Sequence, residues 1–522
     1  MKIPEGSQPY RAFEAERRYF VLDRYIPAYF EVDKPTHQML VLLQGGAPTK
    51  AVLARVGSTW GRRCAERVLN TVVSMKRKGF FLGRGTPSAM GGAKAVERLV
   101  QAKTNKVQLA LAESCNLRCR YCYVHRDTKW HHARERIMPW EIARKAVDFL
   151  VKRAGNADGL SITFFGGEPL LNKDVMHKVI AYTEARRGEL GKKEPTYYSL
   201  TTNGTLMSLD VIRQIKRYNF GLMLSMDGPP EVHDGVRIFI NNRGSWAATA
   251  RGAKFLMKHR KQVSVRCTLT NRCLEKTRIV RFLEDFGFYR TRMSVAMGQA
   301  HLKGPYDIGP EELEVIEKED RILEERYIAA IRAGDWDNHR WARYEQAIMD
   351  IREPQRQSFR CGVGRGTTIV DAKGDLYPCH RYLGMEKYRL GDVEKGVDPD
   401  LFAGYLEQFF AVRRRLCSDC WANTLCNGPC PYYISHPNGE MVEPESWYCK
   451  VIRDGIEKNV ASYSRIRRDF PDYYQHVVEK HLAMKSAPAG RHPKSGREIT
   501  DGSNDAGQES SPATIPLADI QT

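Results

Sequence analysis

The sequence predicts an α/β protein: a partial (β/α)6 TIM-like barrel, with a winged-helix-like N-terminal domain before it and a loop-rich C-terminal domain after it. Three observations carry the prediction. Six apolar segments lie between residues 106 and 298, several separated by amphipathic helical stretches, the pattern of parallel βα units two short of a closed eight. Extended segments and three helical patterns fill the first 85 residues. Ten of the 13 cysteines fall into two groups, one just after the first barrel strand and one in the loop-rich region.

A length of 522 residues suits about three domains. The apolar fraction of 42% builds sizeable cores and excludes collagen-like, low-complexity and small disulfide-stapled classes. No apolar run reaches the roughly 18–20 residues of a membrane span. MKIPEGSQPYRAFEAERRYF lacks the apolar stretch of a secretory signal, so a cytoplasmic protein without a membrane partner is expected. In a reducing compartment, clustered thiols read as metal or redox ligands. The net charge is +20, and residues 1–105 hold 18 Lys+Arg against 8 Asp+Glu, so half of the excess sits in the first fifth of the chain. Such charge attracts an acidic peptide or nucleic acid and does not by itself choose between them.

In order along the chain, residues 17–33 read as two extended segments around Pro27. THQMLVLLQ, TKAVLARV and GRRCAERVLNTVVSMKRK read as helices, the last stopped by Gly79, and FFLG as a closing strand, giving a winged-helix-like domain over 1–85. Residues 86–105 read as a linker. The barrel, 106–309, takes its strands from VQLALA, LSITFF, YYSLTT, GLMLSM, VSVRCTLT and RMSVAMG. Between the first two, Ile142, Ala146, Val147, Leu150 and Val151 recur at helical spacing behind Pro139. Charged helices connect over 310–350, a cysteine-rich domain spans 351–460, a helix covers 461–484, and the Gly-, Ser-, Pro- and Ala-rich 485–522 is expected to be a disordered tail.

Cys115, Cys119 and Cys122, spaced C-x3-C-x2-C, lie on the loop after VQLALA. Loops at the carboxyl ends of such strands hold the chemistry in these folds. Three thiolates suit an iron–sulfur cluster better than structural zinc, which takes four protein ligands. A [4Fe–4S] cluster on three cysteines leaves one iron open to another ligand. Arg118, Arg120 and Arg126 make the loop too polar for three chance core cysteines.

This arrangement resembles the radical S-adenosylmethionine (radical SAM) superfamily. Phe165-Gly166-Gly167-Glu168-Pro169 after the second strand, Thr202-Asn203-Gly204 after the third and Ser225-Met226-Asp227-Gly228 after the fourth, with His233, Asp234 and Arg237 beyond, extend the resemblance. The glycines permit close backbone approach to a ligand, and Glu168 can receive an ammonium group. The resemblance implies that Gly166, Gly167, Glu168 and Pro169 hold the amino group of SAM, and that Asn203, Ser225 and Asp227 contact its carboxylate and ribose. It further implies that a reduced cluster splits SAM into methionine and a 5′-deoxyadenosyl radical, which takes a hydrogen atom from an unactivated C–H bond of the substrate.

Cys361-x12-Gly374-x4-Cys379, Cys417-x2-Cys420-x5-Cys426-x3-Cys430 and Cys449 put seven thiols within 89 residues, more than one tetrahedral site uses. Two zinc knuckles are the plain reading. The spacing resembles the SPASM extension of radical SAM enzymes. That implies two auxiliary [4Fe–4S] clusters, an outer one on Cys417, Cys420, Cys426 and Cys449 and an inner one on Cys361, Cys379 and Cys430. Some relatives supply a fourth inner ligand six residues before the first cysteine, where this chain has Gln355. An inner iron open to a substrate thiolate and an inner cluster that no substrate touches both stand at this point. Cys64, Cys267 and Cys273 read as inert thiols.

Residues 15–85, with Tyr29-Phe30-Glu31-Val32-Asp33 before a helix, resemble the peptide-recognition module of enzymes that modify ribosomally made peptides. That module binds a leader peptide along a strand edge, and positive charge would favour an acidic leader. Together the resemblances imply a maturase of a peptide or small protein, served by an external electron donor of flavodoxin or ferredoxin type. His380 follows Cys379 where formylglycine-forming sulfatase maturases carry an Asp. A thioether between a Cys sulfur and a carbon of another residue is therefore the expected product, with carbon–carbon cross-linking and formylglycine formation as alternatives. His380 is a candidate for proton transfer, or simply a polar neighbour of a cluster. A nucleic-acid-modifying radical enzyme using Arg62, Arg63 and Arg67 is less favoured, as is a zinc-dependent binding protein.

Overall fold

The structure, a computed structural model, describes residues 9–81, 92–123, 136–157, 159–260, 262–300, 303–336, 338–354, 359, 361–363 and 368–486. Strict alternation builds the first sheet, an antiparallel meander of β1 (Tyr10–Ala15), β2 (Arg18–Asp23) and β3 (Tyr29–Val32). Tyr10, Ala12, Val21, Phe30 and Val32 pack on one side against the helices Lys34–Gln44, Thr49–Trp60 and Arg62–Arg77. Phe13, Phe20, Leu22 and Tyr29 pack on the other side against Tyr463 and Ile466 of the helix Ser446–Asp469. Asp33 caps the first helix by accepting from the Thr36 N–H at 2.9 Å. The sheet is thus a buried layer between its own helices and the C-terminal region.

Three expectations change here. β1 is an added strand, concealed in the sequence by the charges at Glu14, Glu16, Arg17 and Arg18 around its turn. FFLG is not a closing strand where it is described: Phe80 and Phe81 sit in a turn, and the Phe81 N–H is donated to Asp23 at 2.7 Å. Leu82 and Gly83 lie outside the described residues. The expected linker contains the helix Ala93–Val100, because Val96, Leu99 and Val100 share an apolar stripe that packs on the barrel core.

The six expected barrel strands are present as β4 (Lys106–Ala112), β5 (Ser161–Gly166), β6 (Tyr197–Thr202), β7 (Asn219–Ser225), β8 (Ser264–Leu269) and β9 (Arg290–Val295), all parallel and in that order. Ile162, Phe164, Tyr198, Leu200, Phe220, Leu222, Leu224, Val265, Cys267 and Leu269 belong to the apolar core on one face. The intervening helices, Trp140–Ala154 among them, cover that face with Ala146, Val147 and Leu150 fully buried. The opposite faces of β5 to β9 carry Thr163, Ser199, Ser225, Arg266 and Arg292, a polar inner wall.

The sheet does not stop at six strands. β10 (Thr368–Val370) adds parallel to β4, and β11 (Leu376–Tyr377) adds antiparallel to β10. The region expected as a separate domain over 351–460 therefore continues the barrel sheet. The charged connection forms two helices, Leu313–Arg332 and Ala342–Arg352. In place of one helix over 461–484 there are two, Ser446–Asp469 and Pro471–Ser486, broken at Pro471, whose missing N–H cannot continue a helix. The expected tail beyond Ser486 lies outside the described residues, as does Gln355.

Candidate active site

The site grows from the ends of β4 and β5. Ala112 and Gly166 pair out of step with the rest of the two strands, which leaves an irregularity at this end. There the backbone is in direct contact: a Cβ on Gly166 (φ +140°) would lie 2.1 Å from the Ala112 carbonyl oxygen, and one on Gly167 would lie 2.3 Å from that of Ser114. Glu168 is fully buried. Its carboxylate accepts from the Thr202 hydroxyl at 2.7 Å, the Asn203 N–H at 2.7 Å and the Leu170 N–H at 3.1 Å. Burial pushes its pKa up to about 7 against those hydrogen bonds. Glu168 therefore ties the ends of β5 and β6 together, and Pro169 starts the short turn that follows.

The loop of Cys115, Cys119 and Cys122 is docked as a pseudo-strand. Arg118 N–H donates to the Ile238 carbonyl at 2.7 Å and Arg120 N–H to that of Val236 at 2.8 Å, and Leu117 bridges to Phe239. Asn203 donates to the Asn116 side chain at 2.9 Å. Tyr121 gives its hydroxyl proton to Asp227 at 2.6 Å, and Asp227 also accepts the Thr268 N–H at 2.8 Å. Arg237 reaches the Tyr121 hydroxyl and stands 3.7 Å from Asp227. Its Nε is buried without a hydrogen-bond partner among the described residues, and Cys119 lies within its electrostatic reach. A buried cation with an orphaned donor beside three thiols is the setting that a bound anionic cluster satisfies.

His233 locks this loop from behind. Its Nδ1 accepts the Asp227 N–H at 3.3 Å, its Nε2 meets Ser245 at 3.0 Å, and Ser245 donates to the Arg237 carbonyl at 2.8 Å. Burial, then the charge of Arg237, holds its pKa down at about 2. The folded pKa lies below the unfolded one, so the stabilisation is complete above about pH 6.5 and is lost as pH falls, because the unfolded chain takes up a proton that the native site refuses. The expected slope from this group is about 1.4 kcal/mol per pH unit in that acid range. Stability measured from pH 6 to 4 should fall less steeply in His233→Asn than in the parent. Equal slopes would remove His233 as the acid-sensitive group.

All 13 cysteines are unbridged thiols. Cys115, Cys119 and Cys122 influence one another electrostatically. In the second group Cys379 senses Cys430 and Cys361, whereas Cys417 and Cys449 each sense Cys420 and Cys426. The seven thiols thus separate into a set of three and a set of four. Among the described residues no three of these side chains stand as a ready-made metal site. Burial holds Cys115, Cys119, Cys379 and Cys417 up at about 12, so metal loading must expel protons.

Two arginines that carry no sequence signal bracket the set of four. The fully buried Arg413 lies within electrostatic reach of Cys417 and Cys426. Arg24, buried in the N-terminal domain, donates to the Ser418 carbonyl and to Asp419 at 3.0 Å, between Cys417 and Cys420. The set of three adjoins the first loop through aromatics: His380 lies 4.5 Å from the Phe165 ring and 6.0 Å from the Tyr123 ring, centroid to centroid. Burial, then Arg381 and Arg266, pushes His380 down to about 3, so it is neutral at physiological pH. Ser225 stands at the end of β7 in register with Arg266. Cys267 is buried in β8.

Comparison with known proteins agrees with this geometry. Residues 109–271 match the radical SAM superfamily. A cysteine-type anaerobic sulfatase-maturating enzyme of Clostridium novyi is 23% identical over 386 residues, covering 70% of this chain and 97% of that protein. The radical SAM cyclopropyl synthase TigE of Paramaledivibacter caminithermalis is 22% identical over 375 residues, covering 68% of this chain and 75% of its own. The solved structure of anSMEcpe with bound AdoMet shares the fold, with a TM-score of 0.57 at 20% identity over 72% of this chain and 98% of that one. Motif order, strand-end placement and similarity therefore agree: residues 109–271 form a radical SAM domain.

Proposed function

We propose that this enzyme is a cytoplasmic maturase that oxidises a peptide or small protein and joins a Cys sulfur to a carbon of another residue. The observation that carries the reading is the aromatic contact of His380 with Phe165 and Tyr123, which puts the set of three thiols against the mouth of the radical SAM domain. An oxidative cross-link leaves one electron that needs a nearby acceptor, and an iron–sulfur cluster held by thiols at this position would be one.

In this reading Cys115, Cys119 and Cys122 hold the cluster that binds SAM. Cys417, Cys420, Cys426 and Cys449 hold an outer auxiliary cluster, and Cys361, Cys379 and Cys430 an inner one. Gly166, Gly167, Glu168, Pro169, Asn203, Ser225 and Asp227 face SAM. When bound, SAM and its cluster supply a 5′-deoxyadenosyl radical. The chain's own residues do the rest. The Gly166–Gly167 backbone packs directly on Ala112 and Ser114, which sets the cysteine loop against the end of β5. Tyr121, Asp227 and Arg237 hold the cysteine loop in place. Phe165, His380, Tyr123 and Tyr432 form an aromatic wall that excludes water. The new C–S bond forms as one C–H and one S–H bond break, so the product is lighter by two hydrogens. A flavodoxin- or ferredoxin-type donor supplies the reducing electron, and an acidic leader docks on the N-terminal sheet.

The similarity to sulfatase maturases favours one second reading, formylglycine formation, against which His380 stands in place of an Asp. One experiment separates them. The reconstituted enzyme is incubated without oxygen with SAM, dithionite and a Cys-containing peptide behind an acidic leader. The expected result is 5′-deoxyadenosine and a product two hydrogens lighter that resists thiol alkylation. A hydrazide-reactive product assigns formylglycine, and a product that still alkylates fully at cysteine overturns the thioether. Zinc without iron after anaerobic isolation overturns the whole reading.

A further inference from the structure

We propose that the inner wall of the barrel is a carboxylate-binding site, in which Arg266 and Arg292 take an acidic side chain of the substrate peptide. This rests on the maturase reading and names a feature of its substrate: an Asp or Glu close to the residue that is modified.

Arg266 and Arg292 are direct partners in the register of β8 and β9, so their side chains leave the sheet side by side on one face. That face is the inner one. Val265, Cys267 and Leu269, the alternate residues of β8, are buried in the core under the helices. Arg292 senses the Tyr197 hydroxyl on β6, three strands away, which two groups on a concave wall can do across the interior. The same hydroxyl covers Gly221 of β7, where a Cβ would lie 2.0 Å from it.

Arg381 closes the site from above. It follows His380, its guanidinium lies 5.5 Å from the Tyr123 ring centroid and 5.3 Å from that of Tyr432, and it donates to the Met297 carbonyl at 3.3 Å. Arg266 feels both Arg381 and Arg292. Two further guanidinium groups thus lie within electrostatic reach of Arg266. Among the described residues neither Arg266 nor Arg292 forms an ion pair or a side-chain hydrogen bond, whereas Arg24, Arg237 and Arg326 each stand beside a carboxylate. Both are exposed to water, Arg266 on β8 and Arg292 beside it on β9, the edge strand of the sheet. Like charges held together in a recess cost free energy until an anion joins them, and a planar guanidinium pair matches a carboxylate. The ligand is therefore a carboxylate delivered to the inner face beside Phe165 and Tyr123.

The same chemistry has two sources, the substrate and the carboxylate of SAM beside Ser225, and the test separates them. Binding is measured by titration calorimetry on the anaerobic, iron–sulfur-loaded full chain with SAM. The probes are capped Gly-Cys-Gly-Asp-Gly and Gly-Cys-Gly-Asn-Gly peptides. The parent should bind the Asp peptide about tenfold more tightly than the Asn peptide, as expected for a charge-assisted pair. Arg266→Gln and Arg292→Gln should each remove that preference and leave SAM affinity unchanged, and Arg266→Lys should keep part of it. Equal affinity of the parent for the two peptides, or binding of neither, overturns the proposal. So does a loss of SAM affinity in Arg266→Gln with the preference intact, which gives the guanidinium to the cofactor. The readout needs no turnover, so it fails independently of the maturase reading, whose own failure is the absence of 5′-deoxyadenosine from the parent.

Discussion

Cys119→Ala should form no 5′-deoxyadenosine above background and should lose one cluster's worth of iron and sulfide, with its far-ultraviolet circular dichroism unchanged. The physical reason is local. Cys119 sits between the backbone bonds of Arg118 and Arg120, which fasten the loop to Val236 and Ile238, so removing one thiol does not release the loop. What it removes is the third thiolate of a soft donor set, and two thiolates do not hold an iron cube. Cys417→Ala is the contrasting variant. It should also lose one cluster's worth of iron, yet continue to cleave SAM, because its neighbours are Cys420, Cys426 and Cys449 rather than the first loop. Retained SAM cleavage in Cys119→Ala, or abolished cleavage in both variants, would overturn the division of the thiols into separate sites.

Gly167→Ala should be severely damaging for a single added methyl. Its Cβ would meet the Ser114 carbonyl oxygen at 2.3 Å, the Ser114 carbonyl carbon at 2.7 Å and the Glu113 carbonyl oxygen at 2.8 Å. All three are backbone atoms of the segment that leads into Cys115, so no rotamer change relieves the clash. Either β5 moves off β4 or the cysteine loop is displaced. A cost of about 3 kcal/mol or more follows from overpacking against rigid backbone, together with a loss of SAM binding. Gly188→Ala is the control: nothing lies within 4 Å of its Cβ, and it sits near the end of the helix Lys173–Glu189. There the substitution should be neutral or stabilising by up to about 1 kcal/mol. Thermal midpoints of the two variants check this, and a Gly167→Ala protein that melts with the parent would show that the two strand ends are not in contact.

Much of the site was legible in the sequence because its parts are local. A loop that gathers three thiols needs them a few residues apart, and Cys115, Cys119 and Cys122 meet that need within one turn of chain. Gly166 and Gly167 mark a backbone approach at the point where the chain leaves β5. The division of Cys361, Cys379 and Cys430 from Cys417, Cys420, Cys426 and Cys449 came from the resemblance to the SPASM extension; in the structure Cys379 has Cys430 and Cys361 as electrostatic neighbours, and Cys417 has Cys420, Cys426 and Cys449. β1 was not legible, because its strand runs into the turn Glu16-Arg17, flanked by Glu14 and Arg18, a run of charge whose pattern suggests solvent. The helix Ala93–Val100 was hidden by the Gly-rich stretch before it.

The sequence by itself determined the six parallel strands, the order of the motifs at their ends and the chemistry of the donor atoms, because periodicity and ligand spacing are short-range properties. Tertiary structure alone decided that β10 and β11 extend the β4 edge, and that Arg24 of the first domain grips the chain between Cys417 and Cys420. It also decided that Arg266 and Arg292 share the inner wall. Each of these joins residues far apart in the chain or on separate strands. Such contacts arise only when the fold closes, since a strand edge or a guanidinium takes whatever partner packing delivers, and no local pattern names that partner.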